Sequence, residues 1–436
     1  MKKIRYFVLT VTLVLSVALS ACGMPIESEN ATPTTQPQGE QTNISTSIYL
    51  LQNGYPLGSS SDSGYYYLQY RDDAAINICY IDYASKQQLI LCNQPNCLHN
   101  SDMCNAWMPY TGSTAGIYEI DGKLYIIHYG SLTTNDYKLF GEAAAPNIEV
   151  RNADGTNAST LLQLPTNSYF TGNFATDGNY LYGMLKEIQS SESENTNAVT
   201  KLVKISLQDG NLETINEMTQ MEPSIVGASG CFLVLSYYQV DSTSDSMLPS
   251  SLCYESYDTT NGKSVPLYTF SRADGTCICV GDNLFYIDKA THEVKSYAIQ
   301  TGSEQILYTL SLDDYSDLYC SYALPDSIVL LLYPKDADSN VVHAILFVDT
   351  GELLEITQPM SSDETSNGKT QMIEIAAENG DEFLVISGIH YQNVSFQTSN
   401  AESIAMPTAY YEFSTIKRSD FLNNIDNFTR ITSLTN

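Results

Sequence analysis

The 436-residue chain is predicted to be all-β, and three patterns carry that prediction. A short turn containing Gly or Asp leads into an aromatic and aliphatic strand at Gly64-Tyr65-Tyr66-Tyr67, Asp121-Gly122-Lys123-Leu124-Tyr125, Asp177-Gly178-Asn179-Tyr180-Leu181-Tyr182 and Ser229-Gly230-Cys231-Phe232-Leu233. The same signal returns at Gly281-Asp282-Asn283-Leu284-Phe285-Tyr286, Pro325-Asp326-Ser327-Ile328-Val329 and Asn379-Gly380-Asp381-Glu382-Phe383-Leu384, a period of about fifty residues. Each copy is followed by an alternating strand, a tight polar turn and a further strand. That hairpin pattern is clearest around Asp209-Gly210, Asn261-Gly262, Thr301-Gly302 and Asp349-Thr350-Gly351, and is also present around Asp154-Gly155, Ala84-Ser85-Lys86 and Lys417 to Asn427. Strands such as Leu124 to Tyr129 and Ile328 to Leu332 are apolar on both faces, as strands packed between two neighbours must be. Two hairpins per repeat make a four-stranded antiparallel unit, so the sequence predicts a seven-bladed β-propeller of four-stranded antiparallel blades, with six or eight blades as the alternative count. Stacked β-sandwiches are the competing architecture, and they would show cleaner polar and apolar alternation.

Composition agrees. The chain has 32 Tyr, 25 Gly and 15 Pro with 43% hydrophobic residues, which favours strands and turns around a sizeable core. Twenty Lys and Arg against 50 Asp and Glu give a formal charge of -30, the wrong sign for a phosphate backbone, so nucleic acid is excluded as an expected partner.

At the N-terminus, Lys2, Lys3 and Arg5 precede an apolar run from Tyr6 to Ala18 that is short for a membrane span. Residues 1–21 therefore read as a signal peptide. The run ends in Leu19-Ser20-Ala21-Cys22-Gly23, which resembles the bacterial lipobox, in which the Cys thiol receives diacylglycerol and becomes the first mature residue. Residues 22–46, rich in Pro, Thr, Gln, Ser, Asn and Glu, read as a flexible tether behind lipidated Cys22, and residues 47–436 as the propeller. The expected location is the outer side of the cell membrane, held by lipid.

If the Gly/Asp turns join the first and second strands of each blade, they share a face with the turns joining the third and fourth. The long insertions Gly130 to Pro146, Glu187 to Val199, Gln239 to Ser251, Pro334 to Asn340 and Gly388 to Thr408 then all lie on the other face, between second and third strands. Insertions gather on binding faces because the blades fix the backbone beneath them. Tyr137, Tyr238 and Tyr391 on these polar segments suit stacking and hydrogen bonding to a peptide, a glycan or a surface protein.

The most distinctive local feature is Cys92-Asn93-Gln94-Pro95-Asn96-Cys97-Leu98-His99, followed by Cys104-Asn105-Ala106-Trp107. Cys92, Cys97, His99 and Cys104 form a zinc-like Cys3His donor set, although the four-residue spacing between the first cysteines is wider than in a zinc knuckle. The alternative is a disulfide between two of the thiols, or packed free thiols. Either way the segment is expected in the crossover after the first blade, on the elaborated face. The remaining cysteines are Cys79, Cys231, Cys253, Cys277, Cys279 and Cys320; nine after Cys22 is odd, so complete pairing within one chain is impossible. Cys231, Cys277, Cys279 and Cys320 read as small buried hydrophobes. Asp336-Ala337-Asp338-Ser339-Asn340 has the alternating acceptors of a calcium loop but Val341 where the turning Gly belongs.

With lipobox, tether, Cys-x4-Cys-x-His-x4-Cys segment and repeats taken together, the chain resembles a group of β-propeller lipoproteins of Gram-positive, Firmicutes-type bacteria. That resemblance implies an interaction platform and no defined reaction. Trp107 is the only Trp, so propellers that dock a Trp in every repeat are excluded, and neither a Gly-x-Ser-x-Gly elbow nor a His-Glu-x-x-His helix is present. The expected function is a lipid-anchored binding platform with no required cofactor beyond a candidate zinc ion. The alternative is a metal-assisted carbohydrate lyase or hydrolase, with His128, His292, His343 and His390 as the residues a propeller axis would have to gather.

Overall fold

The computed structural model describes residues 47–51, 58–131, 134–189, 197–240, 251–271, 275–310, 315–324, 326–336, 339–363, 371–397 and 402–433. The signal peptide, Cys22 and the tether lie outside these residues, as do Asp313, Asp314, Ala337, Asp338 and the middles of the insertions after Gln189 and Val240. The described chain forms seven antiparallel blades of four core strands. Blade one runs through Gly58–Ser60, Gly64–Tyr70, Ile76–Asp82 and Gln87–Ile90, and blade two through Ala115–Ile120, Lys123–His128, Asn147–Asn152 and Ser159–Gln163. Blades three to six begin at Ser168, Met221, Gly275 and Tyr315, and blade seven comprises Glu374–Asn379, Glu382–Gln397, Ser403–Lys417 and Thr429–Arg430.

The period-two pattern explains why the blades stack. In blade one, Tyr65 and Tyr67 enter a cluster shared with blades six and seven, whereas Tyr66 enters the cluster shared with blade two. In blade two, Leu124 and Ile126 face blade one while Tyr125 and Ile127 face blade three. Val329 of blade six turns toward blade seven, and its neighbours Ile328 and Leu330 toward blade five. Every second strand thus buries both its faces, each large side chain contributing about 1.5–3 kcal/mol. Inner strands crowd at the axis, where a Cβ on Gly227 would collide with Cys279 Sγ of the next blade.

Three features were not read from the sequence. The segment Tyr49–Leu51 is not part of blade one; it pairs antiparallel with the innermost strand of blade three, Tyr49 opposite Thr176 and Leu51 opposite Phe174. Ile48 N–H donates to Gly230 O at 2.8 Å, so this strand enters from the tight-turn face. The insertion Gly130 to Pro146 contains a helix, Thr134–Phe140, and the segment around Asp420 is a helix over Arg418–Leu422, both too short to show helical periodicity. Gly388 to Thr408, expected as a polar loop, is instead a continuation of two strands of blade seven, paired without interruption from Gly388 opposite Glu412 to Gln397 opposite Ser403.

Closure joins blade seven to blade one. Phe413 packs on Tyr67 and Tyr65 with ring centroids 5.3 and 6.1 Å apart. Lys86 pairs with Glu382, and Thr432–Ser433 adds a parallel strand to Gln87 and Gln88. Ile431, 6% exposed, is the apolar anchor of that last strand. Ile431→Ala is therefore expected to cost about 2–4 kcal/mol, read as a lowered midpoint in urea unfolding with the slope unchanged.

Candidate metal centre and the loop-bearing face

The fourth strand of blade one keeps its register with the third until Ile90 faces Cys79, then leaves, and returns with Trp107 and Met108 opposite Asn77 and Ile76. Both necks of the excursion rest on one residue. Leu91 N–H donates to Ile78 O at 2.9 Å, and Ile78 N–H donates to Ala106 O at 2.8 Å. The Cys segment is thus a closed loop expelled from within an outer strand of blade one, and not the crossover itself. Its neighbours hold it in place. Arg71 Nη1 donates to His99 O at 3.1 Å, Arg151 of blade two donates to Asn105 O, and a Cβ on Gly155 (φ 81°) would stand 2.9 Å from Leu91 O.

Inside the loop, Cys97 N–H donates to Gln94 O at 3.3 Å and Cys104 N–H to Ser101 O at 3.0 Å, while Asn96 and His99 take positive φ of 58° and 52°. These turns point four side chains inward. The donor atoms of Cys92, Cys97, His99 and Cys104 all lie within 4.8 Å of one another, His99 and Cys104 being buried. His99 Nδ1 is 3.3 Å from Cys104 Sγ, and Ala106 N–H donates to the same sulfur at 3.4 Å. The His99 backbone N–H lowers the Cys97 thiol pKa, chiefly by hydrogen bonding to the sulfur. Burial pushes Cys104 up to about 12, and burial together with Arg71 lowers His99, which keeps the imidazole neutral and able to donate a lone pair. Three sulfurs and one nitrogen this close together can hold a metal ion, and among the described residues this is the one set of three or more His, Cys, Asp or Glu within such reach.

The remaining titratable candidates are dispersed. His128 is buried in the second strand of blade two, His343 is buried in the third strand of blade six, and His390 lies 3.1 Å from Glu412 on the blade-seven ribbon. His292 is in the turn before the third strand of blade five. Cys277 and Cys279 pack between blades four and five, and Cys231 sits half-buried at a turn. Asp336 accepts from Ser339 Oγ at 3.0 Å, closing a local turn.

Of the three tyrosines expected to bind ligand, Tyr137 stands on the helix of blade two with its hydroxyl donated to Ser131 O at 2.6 Å. Tyr238 lines a cleft of about 410 Å³ at the end of blade four, and Tyr391 is exposed on the ribbon of blade seven. They stand on three separate blades. The sequence did not single out the aromatic group that joins the blade-two helix to the blade-seven ribbon: Phe396 of the ribbon packs edge-on against Tyr70 and Tyr110, and Tyr110 against Phe140 of the blade-two helix, with centroids 5.2–5.6 Å apart. Ser395 N–H donates to Asp72 O at 2.9 Å, so the ribbon reaches from blade seven onto blade one.

No protein-family profile matches the chain, and no curated protein matches it. Among solved structures it is similar to an oligogalacturonate lyase from Vibrio parahaemolyticus, at 12% identity over 78% of this chain and 88% of that one, with a TM-score of 0.46. It is also similar to an oligogalacturonate lyase in complex with manganese, at 11% identity, 78% and 87% coverage and a TM-score of 0.47. A prolyl endopeptidase matches at 9% identity, covering 86% of this chain and 55% of its own, with a TM-score of 0.49.

Burial lowers the His343 pKa from 6.5 to about 4. In the unfolded chain the imidazole takes up its proton first, so the stability that folding gains from the neutral ring is fully present above about pH 6.5 and is lost as pH falls toward 4. The expected loss is roughly 2–3 kcal/mol, and His343→Leu is expected to flatten the melting temperature over that window.

Proposed function

We propose that the protein is a lipid-anchored, extracytoplasmic binding platform of a Gram-positive bacterium, taking a peptide, glycan or surface protein on the face built by the insertions between second and third strands. The carrying observation is the asymmetry of the disc. One face holds the helix Thr134–Phe140 and the ribbon of blade seven, cross-linked by Tyr70, Tyr110, Phe140 and Phe396, while the other holds short turns. A ribbon braced on a neighbouring blade gives a fixed surface at low ordering cost, which is what recognition needs.

The Cys92, Cys97, His99 and Cys104 group is proposed to hold zinc as a structural ion. Zinc takes four sulfur and nitrogen ligands at about 2.3 and 2.0–2.1 Å, so its donors lie within the mutual spacing found here. A disulfide would use two thiols and leave the third and the imidazole converging on nothing. The ion would fasten a loop whose own backbone bonds are few, and Arg71 and Arg151 would pass that rigidity to blades one and two. Elemental analysis is expected to find about one zinc per chain, with Cys104→Ser losing it and chelation lowering the melting temperature of the wild type but not of that variant.

The platform itself is tested in two steps. Cys22→Ala is expected to move the protein from the membrane to the soluble fraction. Full-length protein in detergent is then applied to peptide and neutral-glycan arrays, alongside variants lacking residues 389–409 or 132–143. Signals that depend on those segments support the reading, and an array pattern indifferent to both deletions overturns it.

A further inference from the structure

The segment Tyr70 to Ala75 of blade one stands between the Cys-bearing loop and the ribbon of blade seven, and it is bonded to both. Toward the ribbon it offers two seats. Tyr70 O accepts the Tyr410 hydroxyl at 2.6 Å and the Tyr70 ring meets Phe396 with centroids 5.6 Å apart, while Asp72 O accepts the Ser395 N–H at 2.9 Å. Arg71, between these two residues, reaches the other way, and its Nη1 donates to His99 O at 3.1 Å. The turn is closed on itself by Arg71 N–H to Ala75 O at 2.7 Å and Ala74 N–H to Arg71 O at 3.0 Å, so a displacement of Arg71 moves both seats.

His99 is the residue on which this contact depends. It holds φ at 52°, a conformation that costs a non-glycine residue energy and persists where the surroundings impose it. Its imidazole belongs to the set of four donors, so an ion bound there fixes the ring and, with it, the carbonyl that Arg71 holds. The four donors are unequally protected. His99 and Cys104 are buried, whereas Cys92 and Cys97 are half-buried with their sulfurs within 4.8 Å of each other, so an oxidant arriving from solvent meets that pair first.

We infer that the site formed by Cys92, Cys97, His99 and Cys104 is an oxidation-sensitive clasp that holds the ribbon on blade one through His99 and Arg71. The inference rests on the structural-zinc reading given above. With hydrogen peroxide as the oxidant, one thiolate of the half-buried pair attacks a peroxide oxygen, the O–O bond breaks, and a sulfenic acid forms with release of hydroxide. The second thiolate displaces hydroxide from that sulfur, which makes the Cys92–Cys97 bond. Two electrons pass from the sulfurs to the peroxide, two protons from solvent turn the two hydroxides into water, and zinc leaves once two of its four ligands are gone. Without the ion His99 relaxes toward negative φ, its carbonyl turns from Arg71, and the ribbon loses the support behind Tyr70 and Asp72.

The test uses the full chain in detergent, with zinc content established by elemental analysis, and amide exchange of the ribbon as the readout. Chelation of the reduced wild type is expected to speed exchange in 392–397 and 71–75 by about tenfold, with no disulfide formed. Hydrogen peroxide is expected to give the same rise, to release zinc to a chromogenic indicator, and to produce one disulfide, mapped to Cys92 and Cys97 by peptide mass spectrometry. Reduction with added zinc is expected to restore slow exchange. Arg71→Gln, which keeps the four donors and the backbone bonds of the turn, is expected to retain zinc while its ribbon exchanges fast whether or not the ion is bound. Zinc present with ribbon exchange indifferent to its removal, a disulfide that takes Cys104 in place of Cys92 or Cys97, or an Arg71→Gln ribbon that still responds to chelation as the wild type does would overturn this inference and leave the structural ion standing. A purified chain without zinc would overturn both.

Discussion

Burial of both faces of every blade is the constraint on which the rest of the structure depends. A four-stranded antiparallel sheet exposed on one side needs only alternate apolar residues, whereas here successive residues such as Tyr65, Tyr66 and Tyr67 serve opposite neighbours. Removing one blade would leave two apolar faces in water, so the blades stand or fall as a ring. The cluster shared by blades six, seven and one, with Phe413 and Phe383 at its centre, is what the closing strands protect. The last strand, Thr432–Ser433, is only two residues long, yet it covers an outer edge that would otherwise present unpaired backbone groups.

That rigidity is what permits irregularity at the rim. The Cys-bearing loop breaks the outer strand of blade one in its middle, and Ile78 reconciles the break by bonding to both necks. A sheet edge tolerates such an excursion because only one neighbour loses its ladder. The loop in turn collects four soft donors in a place where Ala106 and His99 backbone N–H groups already stabilise sulfur charge. Local backbone geometry and ligand chemistry therefore support each other without involving the propeller axis.

The two faces divide the labour differently. The strand Tyr49–Leu51 lines the inner edge of blade three from the tight-turn side, so that side receives the chain's first described residues. The opposite side carries the helix and the ribbon, and their aromatic contacts convert separate insertions into one surface.

The blades were legible in the sequence because their signals are local: a Gly or Asp turn and a doubly apolar strand follow from nearest neighbours and a period of two. The Cys3His group was legible as a donor set for a similar reason, since thirteen residues of spacing confine all four side chains to one loop. Its position was not, because only pairing of Trp107 with Asn77 and of Ile90 with Cys79 shows the loop to interrupt a strand. The ribbon looked like a loop because Ser, Asn, Gln and Thr recur through it, and its buried Ile389 and Val394 gain their environment only by folding onto another blade. The placement of Tyr49–Leu51 on blade three and of Thr432–Ser433 on blade one was decided by tertiary structure alone. Segments of two or three residues carry no periodicity, and what selects their partners is which sheet edges the closed ring leaves unpaired.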